Sequence, residues 1–225
     1  MSSQYERELR QVLAGVPKGV ESVIRSCTSV EKQKMLQVIQ RPFLVVRAAG
    51  SGMEGTGDLL ALRGDLCFPI EVKSTRATKL YLSGRTKLQY EAMVNEGERC
   101  NLMPLYAHRR KGVRGDSWRI FRVETTNLSG RLRQLEKSIP AFPTTRNGSY
   151  YLNWEDGMPL NAFIALVCST AGSDDQALHN LKVRSLRTNT MAHALPSTQL
   201  EEIRPAQTLP DKPLDVLAEL ARRRS

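Results

Sequence analysis

The sequence GDLLAL at residues 57–62, followed by CFPIEVK at residues 67–73, decides the fold class of this 225-residue chain. Both stretches are nearly continuous apolar runs of strand length, and such runs are typical of strands that are buried on both faces. Asp58 stands at the start of the first run, and Glu71 stands at the end of the second. Because an unpaired charge is costly in such surroundings, each acid is expected to have a partner.

Two carboxylates from neighbouring strands, with a lysine beside them, can hold Mg²⁺ against a phosphodiester. Acids that converge on one point repel each other unless a hard divalent cation, which prefers oxygen ligands, lies between them. Side chains at i and i+2 of a strand share a face, so Lys73 is expected beside Glu71, where it can orient water or offset charge in the transition state. The competing interpretation is a solvated strand face with alternating charges. The apolar flanks favour the metal site.

The sequence upstream of these runs predicts another strand and an amphipathic helix. FLVVRAA at residues 43–49 has a strand pattern and ends at GSG, residues 50–52, a turn that can approach a ligand closely. YERELRQVL at residues 5–13 carries apolar side chains at i, i+4, i+7 and i+8, the spacing of one helix face. Glu6 lies on the polar face of this predicted helix.

The pattern downstream of Lys73 predicts alternating helices and strands as far as residue 168. A helix is predicted at about 84–98, strands at 102–108 and 118–123 with a basic turn at 109–114 between them, a short helix at 132–139, a strand at 150–154 and a helix at 160–167. We divide the chain into a core at 1–126, an accessory segment at 127–168 that packs on the core, and a largely flexible tail at 169–225. A short basic helix is predicted at 214–224, which is either a frayed terminal helix or a contact for DNA or for a partner protein such as a sliding clamp.

The charge of the chain is consistent with a nucleic-acid partner. It has 33 Lys and Arg against 23 Asp and Glu, a net charge of +10 and a pI near 9.7. Residues 1–126 hold 21 of the basic and 13 of the acidic residues, so the excess lies with the acid pair. A field of this sign concentrates a polyanion and makes its binding salt-dependent.

Composition also argues against several other classes of protein. No apolar run approaches the length of a membrane span, and the N-terminus does not have the pattern of a signal peptide, so a cytoplasmic protein is expected. The four cysteines form no C-x-x-C pair and the three histidines no ligand pair, which argues against a zinc site.

These motifs in combination resemble the archaeal Holliday-junction resolvases, a branch of the restriction-endonuclease-like nucleases. The resemblance rests on EREL at 6–9, FLVVRAAGSG at 43–52, GDLLAL at 57–62 and IEVKST at 70–75, and it covers about residues 5–123. It implies an α/β fold in which helices flank a mixed β-sheet, followed here by a C-terminal extension.

The resemblance also implies roles for individual residues. The family's metal ligands fall on Asp58, Glu71, the Val72 carbonyl and Glu6, which would hold Mg²⁺, with Mn²⁺ able to substitute. Lys73 matches the catalytic lysine, Ser51 a loop serine close to the scissile phosphate, and Arg47 a basic residue on the same edge. Further DNA contacts are predicted from the basic and hydroxyl residues that follow Lys73, namely Ser74, Arg76, Lys79, Arg85, Arg109, Arg110 and Lys111.

The chain departs from the family pattern in two places. Gly57 stands where the family usually has proline, which loosens the turn and keeps the ligand. About twenty-five residues, 15–41, separate the glutamate helix from the strand at 43–49, and this insert holds a helix of its own at 29–40. Glu31 in that helix lies at the family's distance from Arg47 and competes with Glu6, which we prefer because its helix reproduces the apolar phase.

The implied function is a homodimeric endonuclease that resolves four-way DNA junctions by paired nicks during recombination and repair. The same motif occurs in nucleases with many substrates. One alternative is therefore a repair or restriction-type endonuclease that acts on duplex or flap DNA. The alternative outside enzymes is a DNA-binding module with a decayed nuclease site.

Overall fold

The computed structural model of the protein describes residues 3–48 and 55–170. These residues form six α-helices, eight strands and one short 3₁₀ helix. In chain order they are α1 (Ser3–Leu13), α2 (Pro17–Ile24), α3 (Ser29–Gln40), β1 (Leu44–Arg47), β2 (Leu59–Arg63), β3 (Leu66–Thr75), β4 (Lys79–Tyr81), α4 (Arg85–Cys100), β5 (Leu105–Arg110), β6 (Trp118–Arg122), α5 (Gly130–Glu136), β7 (Tyr151–Asn153), the 3₁₀ helix (Trp154–Asp156), β8 (Met158–Pro159) and α6 (Leu160–Thr170).

The main sheet has six strands in the order β1-β2-β3-β5-β6-β8. β3 and β5 pair in parallel through the crossover that contains α4, and every other neighbouring pair is antiparallel. β3 is the longest strand and pairs with β2 and β5 along its two edges. Its residues 68–72 are all buried, as the apolar run predicts. The predicted mixed sheet flanked by helices is confirmed.

One face of the sheet packs on the helices from the two ends of the described chain. Leu9, Val12 and Leu13 of α1 join Phe68 and other strand residues in a single buried cluster. The same cluster contains apolar side chains of α2, α3, α5 and α6, and α3 packs against α6. The C-terminal extension therefore belongs to the same core as the N-terminal helices.

The opposite face packs on α4 and on a two-stranded ribbon formed by β4 and β7. Tyr90 and Met93 of α4 are buried against Tyr106 and Phe121 of the main sheet, with Phe142 among them. Residues alternate across a strand, so Glu71, which pairs with Tyr106, faces this second layer.

Several sequence predictions coincide with these elements, and others shift. The insert helix spans Ser29–Gln40 as predicted and starts with a capping box formed by Thr28 and Glu31. α2 was not predicted; Pro17 at its first turn is a helix-start signal. β5 starts three residues later than predicted and continues to Arg110, because it pairs with β3 and β6 through Arg109.

Some predictions fall on residues that the structure does not describe. Ser51 lies in the gap at 49–54, and the tail from residue 171 onward, with the helix at 214–224 and its DNA or clamp contact, lies beyond the described chain. The division at residue 126 stays a prediction. In the described ranges, no helix is long and apolar enough to cross a membrane.

Candidate active site

Asp58 is held at the start of β2 by backbone hydrogen bonds on both sides. Its N–H donates to the Ile70 carbonyl at 2.8 Å, and its own carbonyl accepts from the Ala48 N–H at 2.9 Å. Gly57 before it has φ +70°, and a Cβ there would lie 2.6 Å from the Ile70 carbonyl oxygen. Proline cannot adopt this φ, so glycine here gives a different turn that still delivers the acid to β3.

The carboxylate of Asp58 turns towards the β3 backbone next to Glu71. Its Oδ2 accepts a hydrogen bond from the Val72 N–H at 2.8 Å. Burial, and then the neighbouring Glu71 carboxylate, raise the pKa of Asp58 to about 6. The Glu71 charge is thus close enough to affect the ionisation of Asp58, and a shared metal site stays a prediction.

Glu71 and Lys73 lie side by side on β3. The Lys73 Nζ is 2.6 Å from the Glu71 Oε1 and 2.9 Å from the Oε1 of Gln89 on α4. Glu71 is almost fully buried, and Lys73 is only slightly exposed. The helix across the β3–β5 crossover therefore fixes the ammonium group, and Gln89 is a site residue that the sequence analysis missed.

Glu6 reaches the same edge from α1. It is only 5% exposed, and its charge contributes to the raised pKa of Asp58. Its Oε2 lies 3.2 Å from the Nη2 of Arg47 but has no partner with hydrogen-bond geometry. A buried carboxylate oxygen without a hydrogen bond, near the Asp58 carboxylate, is a ligand atom available to a cation.

Glu31 lies elsewhere and has a different role. Its carboxylate accepts hydrogen bonds from the N–H and the hydroxyl of Thr28, which completes the α3 capping box. From the sequence, both glutamates were candidates for the family's helix-borne acid, because Glu31 has the family's spacing to Arg47 and the helix of Glu6 has the family's apolar pattern. The structure brings Glu6, and not Glu31, to Asp58.

The donor set fits a hard divalent cation in its chemistry. Asp58, Glu71 and Glu6 offer carboxylate oxygens in a partly buried setting, which Mg²⁺ and Mn²⁺ accept. Among the residues of 3–48 and 55–170, however, no three His, Cys, Asp or Glu side chains are grouped closely enough to form a ready metal cluster.

An arginine-rich cleft lies beside Glu6. It has a volume of about 160 Å³ and is lined by Glu6, Arg7, Arg10, Arg47 and Leu59. Arg7 and Arg10 are exposed and lie three residues apart, on one side of α1. The sequence analysis did not single them out, although their helical spacing next to Glu6 was readable.

The residues predicted to contact DNA fall into two groups. Ser74 is half-buried on β3, and Arg76, Lys79 and Arg85 are exposed along the segment from β3 to α4. The basic residues of the β5–β6 hairpin contact other described residues instead. The Arg109 Nε donates to Glu8 at 2.8 Å, the Arg110 Nη1 pairs with Glu155 at 3.1 Å, and the Lys111 Nζ lies 5.4 Å from the Tyr5 ring centroid.

The comparison with protein families shows the family of this chain. Residues 31–167 match the family model described as archaeal Holliday junction resolvase (hjc). The chain belongs to this family. The family consists of metal-dependent nucleases that act on four-way DNA junctions, so this member is an endonuclease.

The match to the family model starts at Glu31, so α1 with Glu6 lies outside the matched residues. Among solved structures, the chain is similar to Hjc from Archaeoglobus fulgidus, a Holliday junction resolvase from an archaeal hyperthermophile, with 19% identity over 60% of this chain and 97% of that chain and a TM-score of 0.39. No curated protein sequence matches the chain.

Proposed function

We propose that this protein cuts four-way DNA junctions by paired, Mg²⁺-dependent nicks as a homodimer, during recombination and repair. The proposal is carried by the coupled acids Asp58 and Glu71, with Lys73 beside them, in a member of the resolvase family. Retention of all three charged groups in one place also argues against a decayed nuclease site.

In this proposal each residue has a separate task. Asp58, Glu71, the Val72 carbonyl and Glu6 would hold Mg²⁺, which when bound supplies Lewis-acid stabilisation of the phosphate and a more acidic water. Lys73, fixed by Glu71 and Gln89, positions the attacking water and offsets negative charge that develops on the phosphate oxygens.

The arginine-rich cleft would hold the DNA backbone next to the reacting phosphate. Arg7, Arg10 and Arg47 bring three positive charges to its wall, and guanidinium groups match phosphate oxygens in geometry. The buried Glu6 carboxylate orients Arg47 and keeps it beside the acids. Ser51 is proposed, as the resemblance implies, to contact the scissile phosphate.

The homodimer would form through the outer strands of the sheet. Leu44 and Val46 of β1 are 68% and 46% exposed, and their register partners Leu62 and Leu60 on β2 are half-buried. Within the described sheet, β1 is one of the two edge strands. This apolar face continues to Cys67, which shares the face of β3 that carries Glu71, so a second copy there would place two active sites near each other.

A cleavage assay with several DNA substrates tests the proposed function. Cleavage of a mobile four-way junction is compared with matched duplex, flap and single-stranded DNA, in Mg²⁺, in Mn²⁺ and in EDTA. We expect symmetric paired nicks in the junction alone, in either metal and not in EDTA. Equal cleavage of all substrates would instead support the repair or restriction-type alternative.

The dimer is tested separately by the mass of the protein in solution. Val46→Asp places a charge in the apolar face, and we expect a monomer that nicks junctions singly and slowly. Val30→Asp is the matched control, because Val30 is 60% exposed on α3 and packs on no part of this face. A dimeric Val46→Asp variant would exclude this surface.

A further inference from the structure

The ribbon of β4 and β7 presents an aromatic surface on the side of the main sheet that Glu71 faces. Tyr81 and Tyr151 are direct register partners, with ring centroids 5.5 Å apart and ring planes inclined by 32°. The buried partners Leu80 and Leu152 face the core, so the tyrosines face outward. Cross-strand aromatic pairs do stabilise ribbons, but Tyr81 is still 56% exposed, the most exposed aromatic side chain in the described chain.

The ribbon packs on the helix that contacts the Lys73 ammonium group. β4 begins four residues after the end of β3, and α4 begins four residues after β4 ends. On α4, Gln89 accepts a hydrogen bond from Lys73, and the next residue, Tyr90, packs on Tyr150 with ring centroids 4.5 Å apart. Tyr150 precedes Tyr151 on β7, so the tyrosine pair belongs to the same layer as Gln89.

The charge around the pair matches nucleic acid. Lys79 lies on the same face of β4 as Tyr81, with its Nζ 5.8 Å from the Tyr151 ring centroid. Arg76 and Arg85 are exposed on either side of β4 and form no ion pair with other described residues. An aromatic surface with a cationic rim is the arrangement that binds unstacked bases, because the ring stacks on the base while the cations hold the backbone.

We propose that Tyr81, supported by Tyr151, stacks on an unpaired base at the branch point of the junction. This inference rests on the proposed function and names a specificity residue for it. Bases at the centre of an opened four-way junction lose a stacking neighbour, whereas bases inside a duplex arm do not. Tyr81 would thus favour branched DNA over duplex at the step at which the scissile strand is positioned.

Photo-crosslinking tests the contact directly, in the inactive Asp58→Asn background. 5-Iodouracil is placed at the branch point or, as a control, in the middle of an arm, and the crosslinked peptide is identified by mass spectrometry. We expect a crosslink to Tyr81 from the branch point only, lost in Tyr81→Ala and kept in Tyr81→Phe. A crosslink that is absent, or equal from both positions, would overturn the proposal.

Cleavage rates with Asp58 intact provide the second readout. Tyr81→Ala should slow junction cleavage by about tenfold or more, the effect of losing one base–aromatic stack, and Tyr81→Phe should restore it. Leu36→Ala, which truncates an exposed side chain on α3, is the matched control. If the wild type does not cut junctions, the proposed function fails; if it does and Tyr81→Ala cuts them equally well, only this inference fails.

Discussion

Replacing Asp58 by asparagine should abolish cleavage and at the same time stabilise the metal-free protein. In the folded protein, burial and the Glu71 carboxylate raise the pKa of Asp58 from 3.8 to about 6. Asparagine removes the repelled charge, and its side-chain oxygen can still accept the hydrogen bond from the Val72 N–H. The same charged carboxylates that can bind a cation would thus lower the free energy of unfolding of the metal-free protein.

The size and sign of this effect follow from proton linkage. A carboxyl whose pKa is raised on folding costs nothing below pH 3.8, and its cost grows between pH 3.8 and 6 and is constant above. Each tenfold difference in proton affinity corresponds to about 1.36 kcal/mol, so the full cost at pH 8 is about 3 kcal/mol, falling to about 1 kcal/mol at pH 4.5. Since Asp58 is partly exposed, solvent screening lowers the expected gain at pH 8 to about 2 kcal/mol.

Urea unfolding in EDTA at pH 8 and pH 4.5 measures this gain. The matched control is Asp156→Asn, the same change at an exposed acid, which should alter the free energy of unfolding by less than about 0.5 kcal/mol. Junction binding and cleavage are measured on the same preparations. We expect Asp58→Asn to bind the junction nearly as well as the wild type and to cut none of it.

Two results would refute this reasoning. If Asp58→Asn is no more stable than the wild type at pH 8 in EDTA, the two carboxylates do not repel each other in the folded protein. If the gain is the same at pH 4.5 as at pH 8, it does not arise from ionisation of Asp58. Cleavage at the wild-type rate would refute the assignment of the site itself.

Four further variants test the surroundings of the site. Glu6→Gln should slow cleavage by roughly 10- to 100-fold. Glu31→Gln should leave the cleavage rate unchanged, because glutamine preserves a capping box. If Glu31→Gln slows cleavage and Glu6→Gln does not, Glu31 is the acid that joins Asp58 and Glu71. Glu8→Ala should lower the free energy of unfolding, measured by urea titration, by about 2–4 kcal/mol. The reason is that the Glu8 Oε1 accepts hydrogen bonds from the Arg109 Nε and from the indole N–H of the buried Trp118. An unchanged free energy of unfolding would mean that these bonds do not anchor α1. Arg7→Ala should weaken junction binding and reduce its salt slope by about 1, and an unchanged slope in a salt titration would remove Arg7 from the phosphate contacts.

The central part of the site could be predicted because its residues are close in sequence. Asp58 directly precedes β2 and Glu71 lies within β3, and a tight turn joins these two paired strands. Lys73 follows two residues later on the same face of β3, so strand periodicity alone places it beside Glu71. Gln89 could not be found in this way. It reaches Lys73 only because α4 packs back over β3.

The hairpin arginines illustrate the limit of composition as a guide. A run of basic residues in a predicted turn indicated a contact with the DNA backbone. In the structure, Arg109 and Arg110 lie in β5, and they form ion pairs with Glu8 and Glu155, which are distant in sequence. Charge clusters show where cations are, and the acids that neutralise them depend on how the helices pack.

The amino-acid sequence by itself determined strands β2 and β3 and the order of Asp58, Glu71 and Lys73 along them, since local periodicity and the cost of burying charge act within a few residues. The prediction that both strands are buried on both faces fits β3, whereas β2 is half-buried on the face of Leu60 and Leu62, because only the edge strand β1 lies beyond it. Tertiary structure alone decided which glutamate lies near Asp58. Glu31 has the family's spacing, but its helix packs on α6 and its carboxylate caps that helix; Glu6 is far away in sequence, and α1 packs across β1, β2 and β3 and brings it to Asp58. Such a choice between competing helices depends on which apolar faces bury each other, and no spacing rule contains that information.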